Sequence, residues 1–477
     1  MPGTIIRERT QRVPRTLPTD TGVLFMAGIA ERGRNDQSHF VSSIAEFERL
    51  IGKRVSYSIA WDMAEAFFNE GGSKMYFSRV FGPAPVTAFV NLPDNVAAVS
   101  LIARASSPGD WGNALNVQVL AGDQAGEFKI QITHDTDTTI NQTSPSLVDQ
   151  AAAIAWASTN DYIRLELGAS VLDPVAGAVL SLATGTDDRA NATDETWLAA
   201  LDRFGKELGP GQVIYAGRTT TTAHTQLLAH AANNNRVALC DTTDVSVVGT
   251  LTVAAAAFRA LANVKFGGLF HPWVNLPALT TGGSTRAIPP SAVVAGVIAR
   301  NDGAGLTPND PAAGDRGWLN YPVSLRSLFS DIDAETLNSA ALNLIRQKSG
   351  EFKIYGFRTG ADKTANPLHW QLGNARLYMA IAAKADAILE RFVFRKIDGR
   401  KLVFKELDGL LSTMLDDYWR ANALYGATPA EAFYVDTDSV NTALTIADGQ
   451  IKAAIEITMS PMGETVTLDI VRRAITA

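Results

Sequence analysis

The sequence predicts a multidomain protein of mixed α/β and α+β architecture. The chain has 477 residues, which is too long for one ordinary core, so about two to four domains are expected. Strands alternate with helices between residues 191 and 273, an order typical of a layered α/β domain. Between residues 88 and 190, apolar residues instead recur at every second position, which indicates a mostly β region inserted in the core.

The first 20 residues have the composition of an extended N-terminal arm. Four arginines, together with Pro14 and Pro18, interrupt them, and they offer little apolar surface to bury. Residues 4–9 could pair as a strand once a partner edge is present. The first part of the α/β core follows at residues 21–87. It is predicted to contain strands at 23–29 and 75–81 and helices at 44–51 and 59–69.

Residues 88–190 are expected to form a separate, mostly β surface domain. Prolines cluster where it begins, and the segment is rich in Thr, Asp and Gly. Short strands are predicted at 116–120, 128–133 and 162–167, with an Ala-rich helix at 147–157.

Residues 191–360 continue the α/β core. Helices are predicted at 197–204, 222–233, 248–261 and 335–348, and strands at 212–216, 237–240 and 266–273. At residues 287–305 two prolines end a loop and small side chains then predict a closely packed helix through Ala299. A turn and polar loop are expected from Arg300 to Gly303.

Residues 361–477 predict a C-terminal α+β domain that ends in a strand. Its expected helices are 370–392 and 407–424, and its expected strands are 452–458 and 464–470.

Composition and charge argue against several classes of protein. The formal net charge is −7, from 42 Lys and Arg against 49 Asp and Glu, which disfavours nucleic-acid binding by the whole chain. The single cysteine, Cys240, cannot form an intrachain disulfide. The N-terminus lacks the apolar core of a signal peptide, and no run of about 18 to 20 apolar residues predicts a membrane span. We expect a protein made in the cytoplasm that works there or in an assembled particle, without membrane insertion.

Catalytic motifs are nearly absent from the sequence. It contains no phosphate-binding P-loop, no complete dinucleotide fingerprint and no G-x-S-x-G nucleophile elbow. His224 and His230 stand six residues apart, on different faces of a predicted helix, so a shared metal is not expected. His271 follows a buried strand and is interpreted as a structural histidine. We therefore predict no enzyme activity, no metal and no cofactor.

Three acidic pairs could suggest acid–base or metal chemistry. They are Asp187 with Asp188, Asp331 with Asp333, and Asp416 with Asp417. The first pair lies in a polar loop, and the second follows Ser330 as at the N-terminus of a helix. Capping and solvation are the better interpretations of these residues.

Basic residues are concentrated between residues 391 and 405. The cluster consists of Arg391, Arg395, Lys396, Arg400, Lys401 and Lys405, and only Glu390 and Asp398 oppose it nearby. One interpretation is an ordinary solvated turn between two helices. The other is a basic patch that docks on an acidic partner through contacts that salt weakens.

Several segments resemble, in the family's order, the contractile tail sheath proteins of phage tails and related injection machines. The segment AIPPSAVVAGVIARNDGAG at 287–305 is similar to the family's PPSG-like and AGVYARTD-like stretch. The others are GVLFMAGIAERG at 22–33, WDMAEAFFNEGG at 61–72 with KMYFSRV at 74–80, PGDWGN at 108–113, and YWRANALYG at 418–426 with AEAFYV at 430–435. Together they are distributed along nearly the whole chain.

The resemblance implies a structural protein without cofactors. Sheath subunits stack as six-fold rings or a helical lattice around an inner tube, in an extended metastable state, and contract by rigid-body movement on a baseplate signal. The implied partners are other copies of the chain, the tube protein, and baseplate and tail terminator proteins. The implied location is a virion tail, or the bacterial cytoplasm and a released injection particle.

The resemblance also suggests functional residues. Strand exchange between subunits is expected at the two ends, with hinges near Pro14, Pro18 and Gly22, although pairing within one chain stays possible. The expected exchange residues are Thr4, Ile5, Ile6, Arg7, Val466, Leu468 and Ile470. The expected tube-binding residues are Arg395, Lys396, Arg400, Lys401 and Lys405.

Two competing interpretations remain at this point. An α/β hydrolase-like enzyme fits the alternating core, and loss of an activity on replacing Ser291 or His271 would favour it. Another shell or tube protein of the same particles is the second, but tube proteins are typically much shorter.

Overall fold

A computed structural model describes residues 20–34 and 36–464 of the chain. The first part of the core contains strands β1 (Leu24–Gly28), β2 (His39–Val41) and β3 (Met75–Arg79) and helices α1 (Ile44–Ile51) and α2 (Ala60–Asn69).

The inserted region contains seven strands and one helix among its described residues. They are β4 (Phe89–Pro93), β5 (Val99–Ala105), β6 (Leu115–Ala121), β7 (Phe128–His134), β8 (Gln142–Thr143), α3 (Gln150–Ser158), β9 (Ile163–Leu167) and β10 (Leu180–Ser181).

The chain then returns to the core. Its helices are α4 (Asp194–Asp202), α5 (Thr221–Asn234), α6 (Val248–Arg259), α7 (Ser291–Gly303) and α8 (Asp331–Ser339). Its strands are β11 (Gln212–Tyr215), β12 (Val237–Asp241), β13 (Gly267–His271), β14 (Val274–Leu276), β15 (Arg286–Ile288), β16 (Ser324–Leu325), β17 (Leu342–Lys348) and β18 (Glu351–Ile354).

The C-terminal region is a helical hairpin with a small sheet. It consists of α9 (Leu372–Leu389), α10 (Leu402–Arg420), α11 (Pro429–Ala432), β19 (Phe433–Asp436), α12 (Ala443–Ala447) and β20 (Ala454–Ile457).

An eight-stranded sheet forms the centre of the molecule, in the order β18-β17-β13-β12-β11-β1-β3-β2. The six inner strands are parallel, and β18 and β2 pair antiparallel at the two edges. Alternate residues of β1 enter different cores: Leu24 and Met26 join the cluster that contains α2 and α7, whereas Phe25 and Ala27 join the cluster that contains α4, α5 and α6. The sheet is therefore covered by helices on both faces, as a buried parallel sheet requires.

Helix α7 packs against α2 with little space between the two backbones. Ten of its residues are buried, and a Cβ built on Gly296 would lie 2.5 Å from the Cβ of Glu70. Small side chains thus allow the close approach that the sequence predicts. The predicted polar loop from Arg300 to Gly303 is wrong, because the helix continues through Gly303.

The helix predicted at 335–348 is also wrong in its second half. Helix α8 ends at Ser339, Ala341 takes a left-handed φ of 64°, and residues 342–348 are strand β17. Leu342 and Leu344 point into one core and Ile345 into the other. A strand buried on both faces has a continuous apolar run that resembles a buried helix.

The inserted region has its own hydrophobic cluster, drawn from residues between 88 and 182. Two sheets, β10-β6-β7-β8 and β4-β5-β9, contribute to it, together with Ala153 and Ala157 of α3. The predicted class, a mixed α/β and α+β multidomain protein, is confirmed. No helix of the described residues is both long enough and apolar enough to cross a membrane.

Candidate functional site

The predicted basic cluster lies at the tip of the α9–α10 hairpin. A short 3₁₀ turn, Glu390–Phe392, ends the first helix, and the loop of residues 393–401 leads into the second. Asp398 holds this loop, since its carboxylate accepts the backbone N–H groups of Arg400 at 2.9 Å and Leu402 at 3.1 Å. The Asp398 side chain therefore stabilises the turn by accepting backbone N–H groups at the start of α10.

The five predicted tube-binding residues divide into two groups. Arg395 pairs with Glu406 at 2.7 Å, and Lys401 pairs with Asp438. Lys396, Arg400 and Lys405 form no ion pair with any residue that the structure describes. The structure thus brings all five to one hairpin tip, but only three keep their charge free of an internal carboxylate.

Strands β19 and β20 form a separate two-stranded antiparallel sheet beside α10. Phe433 is opposite Ile457, and Asp436 is opposite Ala454. Within residues 20–34 and 36–464, these two strands add no third strand to their sheet. A two-stranded sheet is marginally stable by itself, and its outer edges present unpaired backbone groups. Its inner face packs on α10 through Val435, Ile455 and Ile457.

The predicted strand-exchange residues lie outside the described residues. They are Thr4, Ile5, Ile6 and Arg7 at one end and Val466, Leu468 and Ile470 at the other. Next to each end, the described chain is held by polar contacts to the core. Thr21 Oγ1 donates to Asp302 Oδ2 at 2.7 Å, and Arg376 of α9 donates to that same oxygen at 2.5 Å. At the other end, Glu464 pairs with Arg358.

The residues of the hydrolase alternative are buried and make structural contacts, although His271 Nε2 has no hydrogen-bond partner among the described residues. Ser291 is at the first turn of α7, where its N–H and Oγ donate to Asp241 at 2.8 and 2.6 Å. Burial raises the pKa of Asp241 to about 7. His271 contacts Thr242 rather than Ser291, with Nδ1 2.6 Å from Thr242 Oγ1, and burial lowers its pKa to about 4. In the described part of the chain, no serine hydroxyl forms the hydrogen bond to a histidine that activates a nucleophile.

The other predicted histidines are structural as well. His224 lies 3.0 Å from the backbone oxygen of Asp241, and His230 lies 2.7 Å from a guanidinium nitrogen of Arg236. Burial, with a smaller effect of Arg236, lowers the pKa of His230 to about 3. Among the residues whose structure is described, no three His, Cys, Asp or Glu side chains are placed to hold a metal ion.

The three acidic pairs have different environments. Ser330 caps α8 by accepting the N–H of Asp333 at 3.1 Å, as expected. Asp416 forms an exposed helical pair with Arg420 at 2.7 Å. The solvated loop expected at Asp187 is wrong, because its carboxylate is buried and receives a 2.9 Å hydrogen bond from the buried Arg79. A guanidinium from another element compensates the burial of this carboxylate, and short-range patterns do not reveal such a partner.

Solved structures with the same fold include contractile sheath proteins. A sheath tail protein from Listeria innocua matches with a TM-score of 0.62 and 11% identity, over 89% of this chain and 90% of that chain. One from Desulfitobacterium hafniense matches with a TM-score of 0.57 and 14% identity, over 91% and 93%. The contracted helical sheath of the anti-feeding prophage matches with a TM-score of 0.57 and 15% identity, over 99% of both chains.

The chain has the contractile sheath fold. Its sequence matches no family model and no curated protein, so the likeness is visible in the structure and in short segments only.

Two features of this sheath fold were not predicted from the sequence. One is the buried Arg79–Asp187 pair. The other is the exposed Phe394 at the hairpin tip, beside the buried Phe392. The consecutive apolar residues Phe392, Val393 and Phe394 lie between two predicted helices. They could have indicated an exposed aromatic side chain, because a tight turn cannot bury all three.

Proposed function

We propose that this chain is the sheath subunit of a phage tail or a related contractile injection system. The observation that carries the proposal is that the fold correspondence extends over 99% of this chain and 99% of the contracted anti-feeding prophage sheath. An α/β core alone is shared by proteins of many functions, so a match confined to it would carry little weight. Here the inserted region and the C-terminal region are covered as well.

Strand exchange would connect neighbouring subunits. The small β19–β20 sheet supports this, because within the described residues it has two free edges. A donated strand supplies main-chain hydrogen bonds, and its alternate side chains set the register. Residues 4–7 at one end, and Val466, Leu468 and Ile470 at the other, are the proposed donors. Pairing of these segments with the sheet of their own chain is the competing arrangement.

The α9–α10 hairpin tip would contact the inner tube. Arg395, Lys396, Arg400, Lys401 and Lys405 are the proposed contact residues, and a complementary tube surface would be acidic. Contacts of this kind act over about 8 to 10 Å at physiological salt and weaken as salt is raised. An electrostatic contact suits a sheath that holds the tube before contraction and releases it afterwards.

Contraction would move each subunit as a rigid body between two lattices. Extensive burial supports this, since the central sheet is covered on both faces and the inserted region is held to it by buried Arg79. The arms around Pro14, Pro18 and Gly22 would act as hinges. A gain of even about 1 to 3 kcal/mol per subunit adds up along a sheath, so no nucleotide is required.

The remaining parts of the proposal concern the particle. The partners would be other copies of the chain, in six-fold rings or a helical lattice, the inner tube, and baseplate and tail terminator proteins. The inserted region would face outward, and residues 88–190 and 361–477 would act as separate domains. The particle would be a virion tail, or an injection system assembled in the cytoplasm.

The hydrolase-like enzyme is the weaker alternative. Ser291 is fully buried, its hydroxyl is bound by Asp241, and His271 does not contact it. Nucleophilic catalysis requires an accessible nucleophile beside its base. The arrangement therefore supports a structural role for all three residues.

Negative-stain electron microscopy of the purified chain, at low and at high salt, tests the proposal. We expect striated tubes of uniform width, and we expect deletion of residues 1–19 to abolish them. That deletion leaves the described core intact, so its circular dichroism and thermal unfolding should match the full chain. Monodisperse monomers under all conditions, with an inner tube added, would contradict the proposal.

A further inference from the structure

Phe394 is displayed at the outermost part of the α9–α10 hairpin. Its side chain is 102% exposed relative to an extended reference, and Val393 beside it is 55% exposed. Phe392, two residues earlier, is buried in the C-terminal hydrophobic cluster. The turn therefore directs one aromatic side chain inward and the other away from the whole molecule.

The backbone of Phe394 adopts a conformation that aromatic residues avoid. Its φ is +61°, in the left-handed region where glycine or asparagine is usual. The turn around it is nevertheless well defined, since Val393 donates to Glu390 O at 3.4 Å and Arg395 donates to Phe392 O at 3.1 Å. Strained backbone conformations cluster at functional sites, and the ring of Phe394 is too exposed for packing against the described residues to offset the strain.

Three of the predicted tube-binding cations follow this aromatic residue within eleven positions. Lys396, Arg400 and Lys405 have no carboxylate partner among the described residues, whereas Arg395 and Lys401 are engaged by Glu406 and Asp438. The tip thus combines one exposed aromatic ring with these three unneutralised charges and that of the exposed Arg391, which also forms no ion pair with a described residue. Binding hot spots commonly have this composition, a central aromatic anchor with a polar rim.

We propose that the tip docks on a protein partner through Phe394, which enters an apolar pocket on that partner. Lys396, Arg400 and Lys405 pair with carboxylates around the pocket. The inference rests on the proposed function, in which the partner is the inner tube, and adds a position-specific anchor to an electrostatic contact. Electrostatics then governs how fast the partner is found, and the aromatic anchor fixes where it is held.

Charge complementarity favours a folded protein over an anionic membrane as the partner. Glu390, Asp398, Glu406 and Asp438 lie at the same tip as the cations. Glu406 and Asp438 are already paired with Arg395 and Lys401, but Glu390 and Asp398 form no ion pair with a described residue. A diffuse anionic surface attracts the free cations and also repels Glu390 and Asp398. A folded surface can instead place its carboxylates opposite the free cations alone.

The test compares binding of the full chain to three probes. They are a labelled random copolymer of glutamate and tyrosine, labelled polyglutamate, and vesicles rich in phosphatidylserine. We expect Phe394→Ser to weaken binding of the glutamate–tyrosine copolymer about fivefold or more and to leave polyglutamate binding unchanged. A triple Lys396→Ala, Arg400→Ala, Lys405→Ala variant should weaken binding of both polymers. Leu368→Ser is the matched control, because Leu368 is 74% exposed in the loop before α9, and it should change neither.

Three outcomes overturn the inference. They are unchanged copolymer affinity in Phe394→Ser, failure of the unmodified chain to bind either polymer, or vesicle binding that Phe394→Ser abolishes. Electron microscopy of Phe394→Ser separates this result from the sheath proposal. Striated tubes that persist in the variant leave the sheath assignment intact whatever the polymers show, whereas absence of tubes in the unmodified chain counts against the sheath assignment itself.

Discussion

Arg79 and Asp187 form a buried ion pair that connects the central sheet to the inserted region. Arg79 Nη2 lies 2.9 Å from Asp187 Oδ2, and the two side chains are 0% and 2% exposed. The same guanidinium donates to the backbone oxygens of Ala30, next to the sheet, and Pro108, in the inserted region. The Arg79 side chain of β3 therefore forms hydrogen bonds to three separate segments of the chain, at Ala30, Pro108 and Asp187.

Removing one partner of this pair should be strongly destabilising. We expect Asp187→Ala to lower the free energy of unfolding by about 3 to 5 kcal/mol, because it leaves a buried guanidinium without its counter-ion. Urea unfolding measures the change, and limited proteolysis should show earlier cleavage near residues 82–88. Asp331→Ala is the control, since Asp331 is exposed and pairs with Lys348 at 2.9 Å in solvent. If the two substitutions lowered the free energy of unfolding equally, the Arg79–Asp187 pair would not be the contact that stabilises the inserted region against the central sheet.

Two glycines of the same helix should respond in opposite ways to alanine. A Cβ on Gly296 would lie 2.5 Å from Glu70 Cβ and 2.9 Å from Phe67 O, whereas a Cβ on Gly303 would meet nothing within 4 Å. We expect Gly296→Ala to destabilise by about 1 to 3 kcal/mol through overpacking. Gly303→Ala should be neutral or stabilising by up to about 1 kcal/mol, because alanine favours helix. Thermal unfolding of both variants tests this prediction. Similar unfolding midpoints for the two variants would show that α2 and α7 are not closely packed.

The buried carboxyl of Asp241 should make stability depend on pH. Burial raises its pKa from 3.8 to about 7, although Ser291 opposes the shift. Between these values the folded state holds a proton that the unfolded state has lost. The raised pKa of Asp241 therefore stabilises the folded state fully below about pH 4. This stabilisation is lost as the pH rises through 7, and the free energy of unfolding falls by up to about 4 kcal/mol in all.

Asp241→Asn isolates this effect from that of the histidines. The amide can accept the Ser291 N–H and donate to its hydroxyl, but it does not titrate. Burial lowers the pKa values of His224, His230 and His271, and these shifts change stability in the opposite direction between about pH 3 and pH 6.5. We expect the variant to gain stability relative to the parent chain between pH 5 and pH 8 in urea unfolding. A difference that stays constant with pH would contradict a raised pKa at Asp241.

The sequence predicted those helices and strands whose apolar residues recur with the period of a helix or of a strand with one buried face. Helix α1 has the predicted bounds, Ile44 to Ile51, since Ser43 caps it and Gly52 ends it. Alternation along β6 and β7 likewise matched strands with one buried face. Strand β17 was missed because both of its faces are buried, and α7 was ended early because polar residues at its exposed end resemble a loop.

The candidate site was only partly visible in the sequence. The five basic residues between 395 and 405 were found because they lie within eleven consecutive positions. Their division into paired and free cations was not, because Asp438 is 37 positions from Lys401 and comes close to it only through the fold. The burial of Asp187 was missed for the same reason, since its partner Arg79 is 108 positions away. Contacts of this kind depend on tertiary structure, and no local pattern encodes them.

Cryo-electron microscopy of the assembled chain tests the central claim most directly. We predict a helical or ring-stacked tube in which strands from neighbouring subunits extend the β19–β20 sheet, with the α9–α10 tip on the inner surface. The same reconstruction should place the inserted region on the outside. A monomer whose terminal segments complete its own sheet, or a lattice with the α9–α10 tip on the outer surface, would contradict the account.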